Sequence, residues 1–299
     1  MRLSIMLAAV GLSFSLSSAA LAQSVMMGAE GVGHDRISVE VAGEGPDVIL
    51  VPGMASSREV WSGLAARLRQ THRLHLVQVA GFAGSSPVAG DADGLVAAPV
   101  AEAIADYIER EHLDRPAIIG HSLGGEVALM LGARHPDQVG RLMIVDALPF
   151  YSLLFDPAAT SETARPGADA FRAAWLAATD TQAEIMQAAA LASLVRNEAA
   201  RPALLAASMR SDRQTVANAS HELMMTDLRG EISRITVPVE VVYAYDTAYG
   251  VPVASVDMTF RDAYNEVPEV VFRRIDESFH FIMLDQPAQF ERVVLEFLR

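Results

Sequence analysis

The stretch that decides the fold is "AIIGHSLGGEVALML", residues Ala117–Leu131. Its first residues are apolar and typical of a buried strand, and the residues after Gly124 have the composition of a helix. Between them, Gly120–Gly124 match the pattern G-x-S-x-G. This context predicts a tight strand-to-helix turn that holds the hydroxyl of Ser122 beyond the end of a sheet.

Short strand-like runs alternate with helical patterns on both sides of this turn. Strands are predicted over 36–41, 47–53, 73–79, 116–120, 139–147, 237–245 and 269–275. Helices are predicted over 58–70, 96–112, 124–135 and 287–299. Apolar strands separated by helices are typical of a parallel sheet joined by right-handed crossovers. The predicted fold class is therefore α/β, with helices flanking the sheet.

Residues 148–234 interrupt this alternation. The segment contains alanine-rich helical stretches, broken by Pro157, Pro166 and Pro202, and it contains no convincing strand. Strands return at about Val237, so a helical block is inserted between two halves of one sheet. We expect a core built from residues 23–147 and 235–299, with residues 148–234 as the insertion.

Composition narrows the classes of function. The 299 residues are 51% hydrophobic, which suffices for a substantial core. The formal net charge is −14 and no basic cluster stands out, so nucleic acid is not an expected partner, because its phosphates need a cationic surface. The chain has no cysteine, which excludes disulfides, cysteine catalysis, thiolate metal sites and a lipid-modified N-terminal cysteine.

The N-terminus "MRLSIMLAAVGLSFSLSSAALAQS" has the pattern of a secretory signal. A positive charge at Arg2 precedes a serine-diluted apolar run, and Ala20-Leu21-Ala22 follow as a cleavage site. The apolar run is short for a membrane span, and no later stretch is long and apolar enough for one. We therefore expect a signal peptide over residues 1–22, no stable membrane anchor, and a mature protein in the periplasm or the medium.

A serine hydroxyl becomes a nucleophile only when a base removes its proton. Among the eight histidines, His280 is distinguished by its place between the last predicted strand and the last helix. A loop there returns to the carboxyl edge of the sheet, where ligands bind in open α/β folds. His121 stands in the turn itself and cannot easily fold back onto Ser122. We therefore predict Ser122 as the nucleophile and His280 as the base.

The base needs an acid that orients its ring, and two aspartates follow predicted strands. Asp246 follows "VPVEVVYAY", and Asp146 ends "LMIVD". The chain order Ser122, Asp246, His280 is the one expected for this architecture. Asp246 is therefore the predicted acid, and Asp146 is its competitor.

Acyl transfer also needs two N–H groups that point at the negative oxygen of the intermediate. One should be the backbone N–H of Leu123, directly after the nucleophile. The other should come from the loop after "VILVPG", and Met54 is the predicted donor. These two residues form the predicted oxyanion hole.

Four motifs resemble those of the α/β-hydrolase superfamily: "LVPGMASSREVW", "VAGFAGSS", "GHSLGG" and "FHFIMLDQPAQF". The resemblance covers residues 36–299 and implies a mostly parallel eight-stranded sheet, with residues 148–234 as an inserted cap. Two positions depart from the family pattern. Pro52 precedes Gly53 where members often have histidine, and Tyr243 stands where many have glycine. Because the nucleophile is serine, dehalogenase and epoxide hydrolase chemistry are not expected.

Together, the residues and the resemblance predict a secreted serine hydrolase that cleaves a carboxylic ester or a lactone through an acyl-enzyme. It would need no metal and no organic cofactor. The apolar cap and the segment "LPFYSLLF" (148–155) suggest a small-molecule substrate with an apolar group, although these side chains could equally pack the cap against the core.

Two other functions would use the same scaffold. An amidase or aminopeptidase would need cap carboxylates for a substrate amine, and Glu162, Asp169, Asp180 and Glu184 are available. A non-catalytic binding protein on the same scaffold is disfavoured, because binding alone does not require a complete set of Ser, His and Asp in these positions.

Overall fold

Seven strands form one sheet in the computed structural model, which describes residues 35–89 and 94–299. The strands are β1 (Ile37–Ala42), β2 (Asp47–Val51), β3 (Arg73–Val79), β4 (Ala117–His121), β5 (Arg141–Val145), β6 (Val239–Tyr245) and β7 (Val270–Asp276). Their order across the sheet is β1-β3-β2-β4-β5-β6-β7. β1 is antiparallel to β3, and the other described pairs are parallel. The predicted signal peptide, residues 1–22, lies outside the described residues.

The α/β class and the mostly parallel sheet are confirmed, and each predicted strand overlaps an observed one. For strands β2–β6 the reason is burial on both faces, which requires apolar side chains at successive positions. In β2, Val48 and Leu50 pack into one apolar cluster, and Ile49 and Val51 pack into another on the opposite face. The described residues form seven strands, one fewer than the eight implied by the resemblance.

Ten α-helices accompany the sheet in the described part of the chain. They are α1 (Ser62–Leu68), α2 (Ala97–Arg110), α3 (Leu123–Arg134), α4 (Ser161–Ala177), α5 (Asp180–Leu194), α6 (Arg201–Met209), α7 (Arg213–Met225), α8 (Val253–Ala263), α9 (Ile282–Asp285) and α10 (Pro287–Phe297). Helices α2, α3 and α8 cover one face of the sheet, and α1 and α10 cover the other. Helix α8 is not among the predicted helices, and its only buried residues are Phe260 and Ala263.

Between β5 and β6 the described chain forms helices α4–α7 and no strand. Helix α4 packs against α7, and α5 packs against α6. We use the word cap for residues 148–234, as a proposed division of the chain. None of the helices among the described residues combines the length and the apolarity needed to cross a membrane.

One side chain of the cap completes a helix of the core. The carboxylate of Glu222, in α7, accepts hydrogen bonds from the backbone N–H groups of Val96, Ala97 and Ala98. These N–H groups stand at the start of α2, where a helix has no internal acceptors for them. Since Val96 provides no side-chain cap, Glu222 takes that role and ties α7 to the core.

The turn between β4 and α3 is held by contacts that leave no room for a Cβ atom. A Cβ on Gly120 would lie 2.0 Å from the carbonyl oxygen of Gly124, and one on Gly124 would lie 2.3 Å from that of Val51. The first turn of α3 therefore lies directly on the backbone of β4 and of its neighbour β2. This close approach, which only glycine permits, fixes the point at which Ser122 leaves the sheet.

The substitution Gly124→Ala should therefore destabilise the protein by at least about 1–3 kcal/mol, because overpacking against backbone atoms cannot be relieved by a rotamer change. Gly63→Ala is the matched control, since a Cβ on Gly63, in α1, would have no atom within 4 Å. There the replacement should stabilise the helix by up to about 1 kcal/mol. Urea unfolding of both variants measures the difference, and equal stabilities would contradict the packing described.

Candidate active site

Ser122 lies in the turn between β4 and α3, and its backbone is strained. Its φ of 54° and ψ of −121° are rare for a residue other than glycine. Hydrogen bonds hold this conformation: the N–H of Ser122 donates to the carbonyl of Val145 (2.9 Å), and its carbonyl accepts from the N–H of Gly125 (2.7 Å). Such strain is concentrated at functional sites. Ser122 is partly accessible, although both residues beside it are buried.

The structure brings Asp146, and not Asp246, to His280. Nδ1 of His280 lies 2.7 Å from Oδ2 of Asp146. The other carboxylate oxygen accepts a hydrogen bond from the N–H of Ala244 at 2.9 Å. An ionised carboxylate can only accept, so the ring donates from Nδ1 and its Nε2 is left as the proton acceptor. Asp146 thus has the geometry of the acid that orients a base.

The prediction of Asp246 as the acid is therefore wrong on geometry. The Asp246 carboxylate instead accepts hydrogen bonds from Nη1 of Arg196 (2.9 Å) and from the N–H of Ala248 (2.8 Å). Sheet order explains the difference. β5, which precedes Asp146, is the direct neighbour of β4 and the turn that carries Ser122, whereas β6, which precedes Asp246, is one strand further away.

Two backbone N–H groups near the turn have no acceptor among the described residues. The first belongs to Leu123, at the start of α3, where the helix dipole adds partial positive charge. The second belongs to Met54, in the loop after β2. This loop is in contact with the turn, since a Cβ on Gly53 would lie 3.1 Å from the Cβ of Ser122. Leu123 and Met54 remain the candidate oxyanion donors.

His121 is buried completely and takes part in the site without being its base. Its Nε2 lies 3.0 Å from the carbonyl oxygen of His280, and its ring centroid lies 4.5 Å from that of His280. Burial, followed by the charge of the neighbouring His280, lowers the pKa of His121 well below its usual value. His121 is therefore neutral, and its Nε2–H donates to that carbonyl. Nothing in the sequence pattern predicts this contact.

Glu126, one helical turn after Ser122, is a second buried polar residue that the sequence analysis missed. Neither of its carboxyl oxygens has a hydrogen-bond partner among the described residues. Burial, and then the nearby carboxylate of Glu222, raise the pKa of Glu126 well above its usual range. Glu126 is therefore a neutral carboxylic acid, completely buried in α3.

Much of the segment 148–155 packs the cap against the core. Leu148, Phe150 and Leu153 are buried in the same apolar cluster as cap residues such as Trp175 and as the core helices α2 and α3. The half-buried apolar side chains of Met54, Ala147, Tyr151 and Met209 border this cluster. Within residues 35–89 and 94–299, no group of three or more His, Asp or Glu side chains is arranged to hold a metal ion.

Comparison with known proteins identifies relatives of the whole fold. The family described as alpha/beta hydrolase fold matches residues 46–287. Of the solved structures, a hydrolase from Pseudomonas aeruginosa PA01 superposes with a TM-score of 0.72 at 22% identity, covering 88% of this chain and 94% of its own. At this low sequence identity, the superposition supports the fold alone.

Two curated relatives carry the same name, pimeloyl-[acyl-carrier protein] methyl ester esterase. The protein from Aeromonas hydrophila is 36% identical over 115 residues, which cover 38% of this chain and 43% of that protein. The protein from Nitrosomonas europaea is 27% identical over 222 residues, covering 69% of this chain and 79% of that protein. The first match thus spans less than half of its relative's length.

The position of the acid can be tested without a substrate, through the rate at which a fluorophosphonate probe labels Ser122. Asp146→Asn should lower that rate by about 10⁴-fold, because the amide favours the wrong tautomer of His280. Asp246→Asn is the matched control and should cause a far smaller loss, because it weakens only the contact with Arg196. A greater loss for Asp246→Asn would return Asp246 to the role of acid.

The state of Glu126 predicts how stability depends on pH. Above about pH 4.3 the unfolded chain ionises Glu126 while the folded protein keeps it protonated, so this residue lowers the free energy of unfolding as pH rises. Glu126→Gln removes that dependence, and its stability relative to the wild type should increase between pH 5 and pH 8. Urea unfolding across this range is the measurement, with the exposed Glu109→Gln as control. Parallel curves for Glu126→Gln and the wild type would show that Glu126 is not held neutral.

Proposed function

Since the chain belongs to the α/β-hydrolase family, we propose that it is a serine hydrolase that cleaves a carboxylic ester, with Ser122, His280 and Asp146 as its catalytic residues. The observation that carries the proposal is the 2.7 Å contact between His280 and Asp146. These side chains are 134 residues apart in the chain, and they meet beside a strained serine turn. The two curated relatives named as methyl ester esterases favour ester over other acyl bonds.

The proposed reaction begins when Oγ of Ser122 attacks the ester carbonyl carbon and its proton passes to Nε2 of His280. Asp146 stabilises the imidazolium through Nδ1–H. The carbonyl oxygen becomes negative and accepts hydrogen bonds from the N–H groups of Leu123 and Met54. When the C–O bond to the leaving group breaks, His280 returns the proton and an alcohol leaves.

The acyl-enzyme is then hydrolysed by the same groups. His280 takes a proton from water as the oxygen of that water attacks the acyl carbon, and the second tetrahedral intermediate is stabilised like the first. Its collapse breaks the bond to Oγ, and His280 protonates Ser122. The products are a carboxylic acid and an alcohol, and no step requires a cofactor.

For the substrate, we propose a small molecule with an apolar acyl or alcohol group. The support is the set of half-buried apolar side chains, including Met54 and Tyr151, that border the cluster beneath the cap. A lactone, as a cyclic ester, would follow the same steps. No observation favours an amidase, because Glu162, Asp169, Asp180 and Glu184 are all solvent-exposed in the cap.

We also propose that the protein is secreted to the periplasm or the medium, on the basis of the signal pattern in residues 1–22. N-terminal sequencing of the protein recovered from the periplasm or the medium should give a sequence that begins with Gln23. A protein retained in the cytoplasm with an intact N-terminus would contradict this part of the proposal.

The main test compares the wild type with Ser122→Ala on esters of increasing acyl length, lactones and aminoacyl amides. The wild type should hydrolyse esters and react with a fluorophosphonate, and Ser122→Ala should lower kcat by at least about 10⁴-fold and abolish labelling. Ser193→Ala, at an exposed serine of α5, should change neither result.

Three outcomes would count against the proposal. Equal labelling of Ser122→Ala would remove Ser122 as the nucleophile. Turnover of amides in preference to esters would support the amidase alternative. Ligand binding without any turnover, unchanged in Ser122→Ala, would indicate a non-catalytic binding protein. Within the ester series, activity confined to short chains would remove the apolar group from the substrate.

A further inference from the structure

The backbone of His280 is held from two sides by side chains that take no part in the proposed reaction. On the core side, Nε2–H of His121 donates to the carbonyl oxygen of His280 at 3.0 Å. On the cap side, the carboxylate of Asp285 accepts the N–H of Phe279, the residue before His280, at 2.9 Å. The loop that carries the base is therefore fixed on both sides of the reacting ring.

A completely buried histidine at position 121 lowers the stability of the fold unless its hydrogen bond has a role. Its Nδ1 has no partner among the described residues, and an unpaired buried nitrogen lowers stability relative to an apolar ring of similar shape. The ring lies among those of Trp61, Phe281 and His280, at centroid distances of 6.4, 4.8 and 4.5 Å. A phenylalanine would suit this aromatic surrounding, so the distinctive contribution of histidine is the Nε2–H donor.

His121 also connects the base to the nucleophile. It is the last residue of β4 and stands directly before Ser122. Its side chain hydrogen-bonds to the main chain of His280. One residue therefore sets the separation between the two loops that must meet in the reaction. A base misplaced by about 1 Å costs about 10²-fold in rate, so this separation has a direct kinetic consequence.

Asp285 provides the second attachment and extends it to the cap. Its carboxylate accepts a hydrogen bond from the N–H of Phe279. It also accepts hydrogen bonds from the backbone N–H groups of Arg196 (3.0 Å) and Asn197 (2.8 Å), which follow α5. The side-chain amide of Asn197 donates to the carbonyl of Leu284. Because hydrogen bonds to an ionised carboxylate are stronger than neutral ones, Asp285 is the centre of this connection.

We propose that His121 and Asp285 are positioning residues for His280, and that Asp285 makes the alignment of the base depend on the seating of cap residues 194–197. The inference rests on the proposed function, because it assigns these roles to support of the base. The backbone N–H of Phe281, directly after His280, also donates to Leu194 of the cap at 3.1 Å. The cap is thus linked to the base loop before the reacting ring through Asp285, and it contacts the loop directly after the ring through Leu194.

The test measures kcat and KM for ester hydrolysis in His121→Phe, His121→Gln and Asp285→Asn. His121→Phe keeps a ring but loses the donor, so kcat should fall by about 10- to 100-fold with KM little changed. His121→Gln keeps an N–H donor near the position of Nε2 and should recover most of the loss. Asp285→Asn, with fewer acceptor sites, should also lower kcat rather than raise KM. His135→Phe and Asp137→Asn, both outside the site, are the matched controls.

A spectroscopic measurement separates positioning from loss of structure. The proton between His280 and Asp146 should give a downfield NMR signal that broadens in His121→Phe and persists in His121→Gln. If His121→Phe does not fold, Asp285→Asn and Asn197→Ala still test the attachment on the cap side through the same split between kcat and KM.

The inference is overturned if the wild type hydrolyses esters, Ser122→Ala does not, and both His121→Phe and Asp285→Asn keep kcat within twofold of the controls. It is also overturned if His121→Gln is as slow as His121→Phe, because the hydrogen bond would then not be the cause. A wild type that hydrolyses no ester and is not labelled is a different result, which rejects the proposed function and this inference together.

Discussion

The arrangement of the site depends on one close contact, between the first turn of α3 and the backbone at the end of β2. No side chain fits between them, since a Cβ on Gly124 would lie 2.3 Å from the carbonyl oxygen of Val51. A helix that begins so close to the sheet forces the residue before it into positive φ, and that residue is Ser122. The same contact places on adjoining segments the N–H groups of Leu123 and Met54, which have no acceptor within residues 35–89 and 94–299. The strain and the site have a common origin.

Local sequence predicted the parts of the protein that local interactions determine. The strands follow from apolar runs, the turn at Ser122 follows from G-x-S-x-G between a strand and a helix, and the position of His280 follows from its place after the last strand. The acid could not be predicted in this way, because Asp146 and Asp246 both follow strands. Which of the two aspartates meets His280 depends on which strand lies beside β4. It also depends on Arg196, a cap residue that pairs with Asp246.

Residues whose roles depend on complete burial could not be predicted from the sequence either. His121 and Glu126 are ordinary polar residues in the sequence, and only the fold shows that both are buried with atoms left unpaired. Such groups lower stability, so proteins retain few of them. Both lie within four residues of Ser122, where the unusual conformation of the chain is also found. The buried polar groups around this turn thus lower the stability of the fold, and the protein keeps them in a particular arrangement.

The hydrogen bonds of Glu222 divide the cap into two parts that are attached to the core in different ways. Helix α7 completes the N-terminus of α2, and α4 packs on α7, so these two helices are structurally part of the core. Helices α5 and α6 pack mainly on each other, and they are connected to the base loop through Asp285 and through the carbonyl of Leu194, which accepts the N–H of Phe281. For an engineer who wishes to change specificity by exchanging cap segments, the replaceable unit is therefore the α5–α6 hairpin, provided that the acceptor at position 285 and its partners are exchanged as a set.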